Sequence, residues 1–464
     1  MDRIDNAGSS PGAQSCCARE GGLPVFTGVL VHLLIGAGSD MMQAARIRSL
    51  IAKPGTLAFA DQSLVSAGNF FSLLLIARHL AAEKFGLFSL AMMSLLFMAN
   101  LHRAIFTQPL NILGAAESLP CVTGRMLALV RAQLLAIPLA ALLLAGLSLH
   151  FFPQTALLFG TICYVAGFYL QEMSRRYWYT VHRVERAIAS DIISYGGQLA
   201  VLALLAASGR LDGAIALATM GAASLAAFLF DLWRMKPAPA SPAPALRPVH
   251  LLFMQQWPLS RWLLLTVLAM WGGSQLYPFL LAALGPVAVA SYVACRNLLT
   301  ATGVLIQSVG NYLPVRATTL LKRRGKLALR NHLLRTLLQA ASFGLAFVLL
   351  IMLAAGPLMH LAYGGRYDSA ASLLRMLALA TLFTLLGAVL GAYSLAMEDS
   401  RASFVANLGA TCVALTAGIW LIHTNGLQGA AIAATLSTAT SMTLQAMLVW
   451  QRFNSLPHSR GPHA

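Results

Sequence analysis

One basic residue stands inside an otherwise apolar run of this sequence. Tyr292, Arg296, Thr300, Gly303 and Gln307 follow one another at steps of four, four, three and four residues. Such steps keep side chains on one face of a helix, so the pattern predicts a polar stripe carrying a guanidinium. The chemistry open to it is anion binding: an arginine grips a diphosphate through paired charge-assisted bonds, while Thr300 and Gln307 meet sugar hydroxyls. The competing reading is an arginine paired with a carboxylate or a helix-end carbonyl for packing alone.

Three further segments carry polar groups at helical spacing. Ser89, Asn100, Arg103 and Thr107 form a second stripe, whose Arg103 either contacts a ligand or extends its long side chain to an interface. Gln62, Ser66 and Asn69 form a short polar face beside Asp61, and small polar groups of this kind also join helices to one another. In Trp271-Gly272-Gly273-Ser274-Gln275-Leu276-Tyr277-Pro278 an apolar run is interrupted by glycines and a proline. Gly272, Gly273 and Pro278 are candidate hinge positions beside Gln275, and an ordinary proline kink is the alternative.

None of this is bond-breaking chemistry. The sequence has no Gly-x-x-x-x-Gly-Lys-Ser/Thr phosphate loop and no nucleophile, base and orienter set, so an enzyme is not expected. Cys16, Cys17, Cys121, Cys163, Cys295 and Cys412 lack metal-ligand spacing and read as unpaired thiols; neither a metal nor a cofactor is expected.

The elements that position these residues are membrane helices. The 464 residues are 58% hydrophobic and 10% charged, with a mean hydropathy of +0.71, whereas soluble domains carry roughly 25% charged residues. Apolar runs of about 20 residues recur, each long enough to span a bilayer as a helix. Twelve spans are expected near 56–78, 86–108, 126–149, 152–171, 188–208, 213–233, 259–284, 287–313, 333–356, 370–396, 402–423 and 427–450. The fold class is therefore all-α integral membrane.

The net charge of +17 does not point to nucleic acid, because the basic residues gather at alternate boundaries between spans. Arg46, Arg48 and Lys53, the Arg175–Arg186 group, and the run from Arg316 to Arg335 fall on one face, against Arg78, Lys84, Arg210, Arg366 and Arg375 on the other. The positive-inside rule places both termini in the cytoplasm. The segment 320–335 mixes leucines with six basic residues and suits the surface of an anionic leaflet.

Residues 236–249 form a Pro/Ala-rich linker that favours extended polyproline II and separates an N-terminal six-helix bundle, 42–235, from a C-terminal one, 250–452, followed by a tail, 453–464. The segment Leu80…Phe85-Gly86-Leu87-Phe88 has an echo at Leu284-Gly285…Val289-Ala290-Ser291-Tyr292, at the matching place in each half, which suggests an internal repeat. Residues 1–41 read as a polar extension with one apolar stretch too short to span. Met41 or Met42, ahead of a basic lead-in, is the expected start, which N-terminal sequencing of the expressed protein tests.

Asp61 to Phe70, Ala77-Arg78-His79-Leu80, Lys84 to Ala91, Arg103 to Pro109, Gln171-Glu172 with Arg175-Arg176, and Asp191 together resemble polysaccharide and O-antigen flippases. These are the Wzx-like branch of the multidrug/oligosaccharidyl-lipid/polysaccharide exporter superfamily. The resemblance covers about residues 42–450 in architecture, with its motifs concentrated in the first two hundred. It implies two six-helix bundles around a central cavity that opens alternately to either side of a bacterial inner membrane. The implied cargo is a polyprenyl-diphosphate-linked glycan, and the implied partners are membrane lipids, a polysaccharide polymerase and export machinery. Multidrug relatives use an acidic residue of the first helix for cation coupling, which makes Asp61 the candidate ion-coupling residue, although it falls near the cytoplasmic end of its span. A small-solute exporter of the same fold and a non-transporting assembly protein for a polysaccharide synthase are the rival expectations.

Overall fold

The computed structural model describes residues 54–115, 117–235, 248–397 and 399–455. The 1–41 extension, the basic lead-in and most of the Pro/Ala linker lie outside the described residues. The described residues belong to one compact unit.

The N-terminal half contains α1 (Pro54–His79), α2 (Ala82–Gly114), α3 (Leu119–Phe151), α4 (Thr155–Thr180), α5 (Val184–Ala207) and α6 (Gly213–Arg234). In the C-terminal half, α7 (Val249–Ser274) breaks before a short continuation, Tyr277–Leu284, bent by 45°. Next comes α8, Pro286–Leu299, which resumes after Thr300 in a helical stretch running to Tyr363. That stretch breaks at Gly325 (φ 73°), and the portion beyond is α9. Arg316 and His332 would lie about 24 Å apart on a straight helix, yet both face Tyr393, so the chain turns back at Gly325. After α10 (Ala371–Ala396), a helix counted as Arg401–Ser455 is broken at Gly426 (φ 58°). A Cβ on Gly429 would stand 1.9 Å from the Leu421 carbonyl oxygen, so this break is a hairpin between α11 and α12.

Nine described helices are long and apolar enough to cross a membrane, or ten with the bent α7 pair. Separating α11 from α12 and adding the interrupted α8 gives twelve spans. Several expected boundaries need correction: the second helix runs on to Gly114 rather than 108, the eighth continues past 313 to the break at Gly325, and the ninth fills the stretch from that break to Tyr363 rather than 333–356. The third helix starts seven residues earlier than 126, the fourth continues past 171 to Thr180, and the seventh starts at Val249 rather than 259. The polar residues that seemed to end α4 are buried inside it, for reasons given below.

The repeat echo has a structural counterpart. The starts of α2 and α8 pack against each other, and a Cβ on Gly86 would lie 1.9 Å from the Pro286 carbonyl oxygen. Around this contact one apolar core joins the two halves, with Phe85, Phe88, Tyr292, Tyr363 and Tyr367 buried in it. Arg366, between α9 and α10, donates to the Leu80 carbonyl at the end of α1, and the Phe85 and Tyr367 rings stand 6.2 Å apart. At the opposite end, where α1 begins and α12 finishes, the core divides. One cluster, including Phe106, Met173, Trp178 and Phe228, belongs to the N-terminal half, while Leu313, Leu329, Tyr393 and Phe453 form another in the C-terminal half. Only the start of α7, through Val249 and Phe253, reaches across to the first cluster. The apolar core is thus shared by both lobes at the far end and separate in each at the terminal end, where the start of α7 bridges to α2 through Phe253 on Phe106 and Gln256 on the Ile105 carbonyl.

This asymmetry makes Gly86 a test of lobe movement. Gly86→Val places carbon where the α8 backbone already lies, so the far end is expected to be forced apart. The fraction of molecules open at the terminal end should fall, read as spin-label distances across that end; an unchanged distance distribution would refute the tight contact.

Candidate functional site

Two polar sites lie within the lobes. The first is built on α4. Arg175 is buried, and its Nη2 reaches the Asp61 carboxylate at 2.5 Å while Nε reaches Asp191 at 2.7 Å. Glu172, one turn earlier, stands 3.6 Å from Arg175, 2.8 Å from Arg176 and 3.6 Å from Arg103 of α2. Tyr179 donates to Asp61 at 2.5 Å, and Gln171 donates to Asp191 at 2.7 Å. Nearby, Ser174 donates to the buried Asp231 of α6 at 2.6 Å. Five of the six helices of this lobe contribute.

The network explains why α4 runs on. A charged residue inside a membrane costs at least about 2.5–3.5 kcal/mol on insertion scales, and unpaired buried charges cost more than paired ones. With three carboxylates around three arginines, Arg175 and Arg176 can remain on a buried helix instead of marking its end. In one dimension Gln171-Glu172 and Arg175-Arg176 read only as a family motif, and the arginines look like charges flanking a span. The available signal was Gln171 and Glu172 each one turn before Arg175 or Arg176, with acids at Asp61 and Asp191 to match.

Arg103 belongs to this network rather than reaching out to an interface. It opens a π-helical turn, Arg103–Thr107, in α2. Asn100 folds back onto its own helix, donating to the Leu96 carbonyl at 2.7 Å. Asp61 is fully buried, with one carboxylate oxygen shared by Arg175 and Tyr179.

The second site lies where α7 breaks. Arg296 is half-buried and donates from Nη1 to the Gln275 side-chain carbonyl at 2.9 Å. It stands ten residues into α8, about 15 Å from the helix start and so about halfway through a bilayer core of about 30 Å. Among the described residues no carboxylate lies within ion-pair distance of it. Gln275 caps the first part of α7, and Pro278 begins the short continuation, where its missing N–H leaves no helical bond unmade. On the other side, Asn297 donates to the Phe70 carbonyl of α1 at 3.3 Å, next to the exposed Asn69. Arg296 and Gln275 thus join α8 to the break in α7, while the neighbouring Asn297 joins α8 to α1.

Of the predicted stripe from Tyr292 to Gln307, Tyr292 departs into the core, while Thr300 keeps helical dihedrals across a one-residue interruption. The Thr300 hydroxyl bonds back to the Asn297 carbonyl, and the helix is interrupted there. Tyr292 turns into the core against Tyr277, with ring centroids 6.3 Å apart, while Thr300, Gly303 and Gln307 are exposed. Periodicity alone misses this because the burial of Tyr292 depends on its packing against Tyr277 of the broken α7. Gly272 packs on α11, where an added Cβ would meet Thr411 at 2.5 Å; Gly273 lies in the same final turn of α7.

An all-helical, two-lobed membrane bundle with polar groups at mid-depth is the fold of known transporters. No family model and no curated protein matches the sequence, but solved structures match over most of its length. An inward-facing multidrug resistance MATE family transporter of the MOP superfamily superimposes with a TM-score of 0.67 at 15% identity, covering 84% of this chain and 95% of that one. The lipid II flippase MurJ in an inward closed conformation gives 0.66 at 12% identity, covering 86% and 89%. An outward-facing MATE transporter gives 0.53 at 15% identity, covering 86% and 94%. At these identities the likeness establishes the fold.

Proposed function

We propose that this protein is a flippase that moves a polyprenyl-diphosphate-linked oligosaccharide outward across a bacterial cytoplasmic membrane. Capsule, exopolysaccharide or O-antigen synthesis would consume the product. The observation that carries this reading is Arg296: a mid-membrane guanidinium held by a neutral amide, with no acidic partner among the described residues. An isolated buried cation is costly unless an anion completes it, and a diphosphate fits its planar donors. Gln275, Asn69 and the exposed Thr300 and Gln307 offer groups for sugar hydroxyls, and the break at Pro278 with Gly272 and Gly273 gives the lobes a place to bend. The head group would cross between the lobes while the prenyl tail stays in lipid.

A multidrug exporter of the same fold needs a free acid for its cations. Here Asp61, Glu172 and Asp191 are all engaged by arginines, which disfavours Asp61 as an ion-coupling residue. Both termini lie in the cytoplasm in this proposal, with the terminal end facing the compartment where the lipid-linked glycan is assembled.

Deleting the gene and analysing cellular lipids by mass spectrometry tests the function. A complete lipid-linked glycan is expected to accumulate, and wild-type protein is expected to clear it. Undisturbed polymer export without such a lipid would remove the proposal and favour the small-solute exporter.

A further inference from the structure

The lobes differ most in charge at their terminal end, and nothing in the transport reading uses that difference. In the N-terminal lobe the turn between α2 and α3 is short, and its Arg125 is paired with Glu117. The matching turn of the other lobe, between α8 and α9, carries Arg323, Arg324 and Arg330 exposed, with Arg335 exposed one turn further on. Among the described residues no carboxylate lies within ion-pair distance of these four. Pairing at one turn and its absence at the other is not required by topology, which counts only the positive residues.

The side chains around these arginines mark the depth of a membrane surface. Leu327, Arg330, Leu334 and Leu338 follow at steps of three, four and four on the outer face of α9, and all three leucines are exposed, Leu327 by 69%. Leu329 and Leu333, on the opposite face, are buried in the lobe's own core. The Arg330 guanidinium stands 5.9 Å from the ring centre of Trp450 on α12, itself 58% exposed. Lys326 lies over Phe453 at 5.3 Å. Tryptophan beside arginine is the composition of a membrane's headgroup layer, with leucines below it facing acyl chains.

We propose that the α8–α9 turn is a docking site for the phosphate headgroups of anionic phospholipids, which hold the C-terminal lobe at the membrane surface. Arg323, Arg324 and Arg330 supply the donors, Trp450 sets the depth, and Leu334 and Leu338, beyond Arg330 along α9, contact the chains. Each basic residue near an anionic surface contributes about a fivefold gain in binding.

The test uses the full-length protein in detergent, titrated with short-chain phosphatidylglycerol or phosphatidylcholine while thermal unfolding is followed. Phosphatidylglycerol is expected to raise the melting temperature saturably, and phosphatidylcholine is not. A triple variant, Arg323→Gln, Arg324→Gln and Arg330→Gln, should melt normally without added lipid and need about 100-fold more phosphatidylglycerol for the same rise. In the wild type the rise should shrink between 0.1 and 1 M salt, as the screening length falls from about 10 Å to about 3 Å. The proposal is overturned if the variant responds like the wild type, if the rise is insensitive to salt, or if a soluble prenyl diphosphate alone produces it. The last result would assign the arginines to the transported head group instead.

Discussion

Arg175→Ala is expected to unfold the N-terminal lobe. The substitution leaves Asp61 and Asp191 buried without their shared guanidinium, and removing one partner of a buried ion pair costs about 3–5 kcal/mol. That is a large share of the 5–15 kcal/mol by which folded proteins are typically stable. Thermal unfolding in detergent should show a strongly lowered midpoint, or the variant should fail to accumulate as a monodisperse species. Substituting all three together, Arg175→Gln, Asp61→Asn and Asp191→Asn, removes the charges with near-constant shape and is expected to restore most of the lost stability. If the single variant melts like the wild type, the network does not hold the lobe together. If the triple variant transports normally, Asp61 has no part in ion coupling.

Arg296→Ala is expected to leave the fold intact and stop transport. Arg296 is half-buried and bonded only to the Gln275 side chain in this structure, so its removal strands no buried charge. Losing a desolvated charged contact to a bound anion costs about 2–5 kcal/mol, a roughly 30-fold or greater fall in binding. In a deletion strain the variant should be made at normal level yet fail to clear the stranded lipid-linked glycan. Arg296→Lys, which keeps the charge and loses the planar fork, is expected to restore part of the activity. Full clearance by Arg296→Ala would place the anion site elsewhere and would reopen the rival of a protein that assembles a synthase without transporting. These two variants separate the sites by readout: one is seen in melting, the other in flux.

What the sequence determined alone was everything that depends on solvent and on local periodicity. Apolar runs of about 20 residues specify membrane helices because the backbone must satisfy its own hydrogen bonds in lipid. The glycines and proline after Trp271 marked the place where α7 breaks, since they weaken the helical ladder wherever they fall. The echo between the segments around Gly86 and Gly285 marked two equivalent turns, and Arg296 stood out because charge is costly in an apolar run.

Tertiary structure alone decided which charges meet. Asp61, Arg175 and Asp191 are separated by 114 and 16 residues along the chain, and only the packing of α1, α4 and α5 makes them one network. Without that pairing α4 appeared to end at 171, because an arginine that is neutralised inside a bundle and one that flanks a span look the same in one dimension. Likewise, periodicity drew Tyr292 and Gln307 onto one face, and the packing of Tyr292 against Tyr277 in the core separated them. That α2 and α8 close on each other at Gly86 and Pro286, while the apolar core divides at the other end, follows from contact between distant segments, which no local pattern encodes.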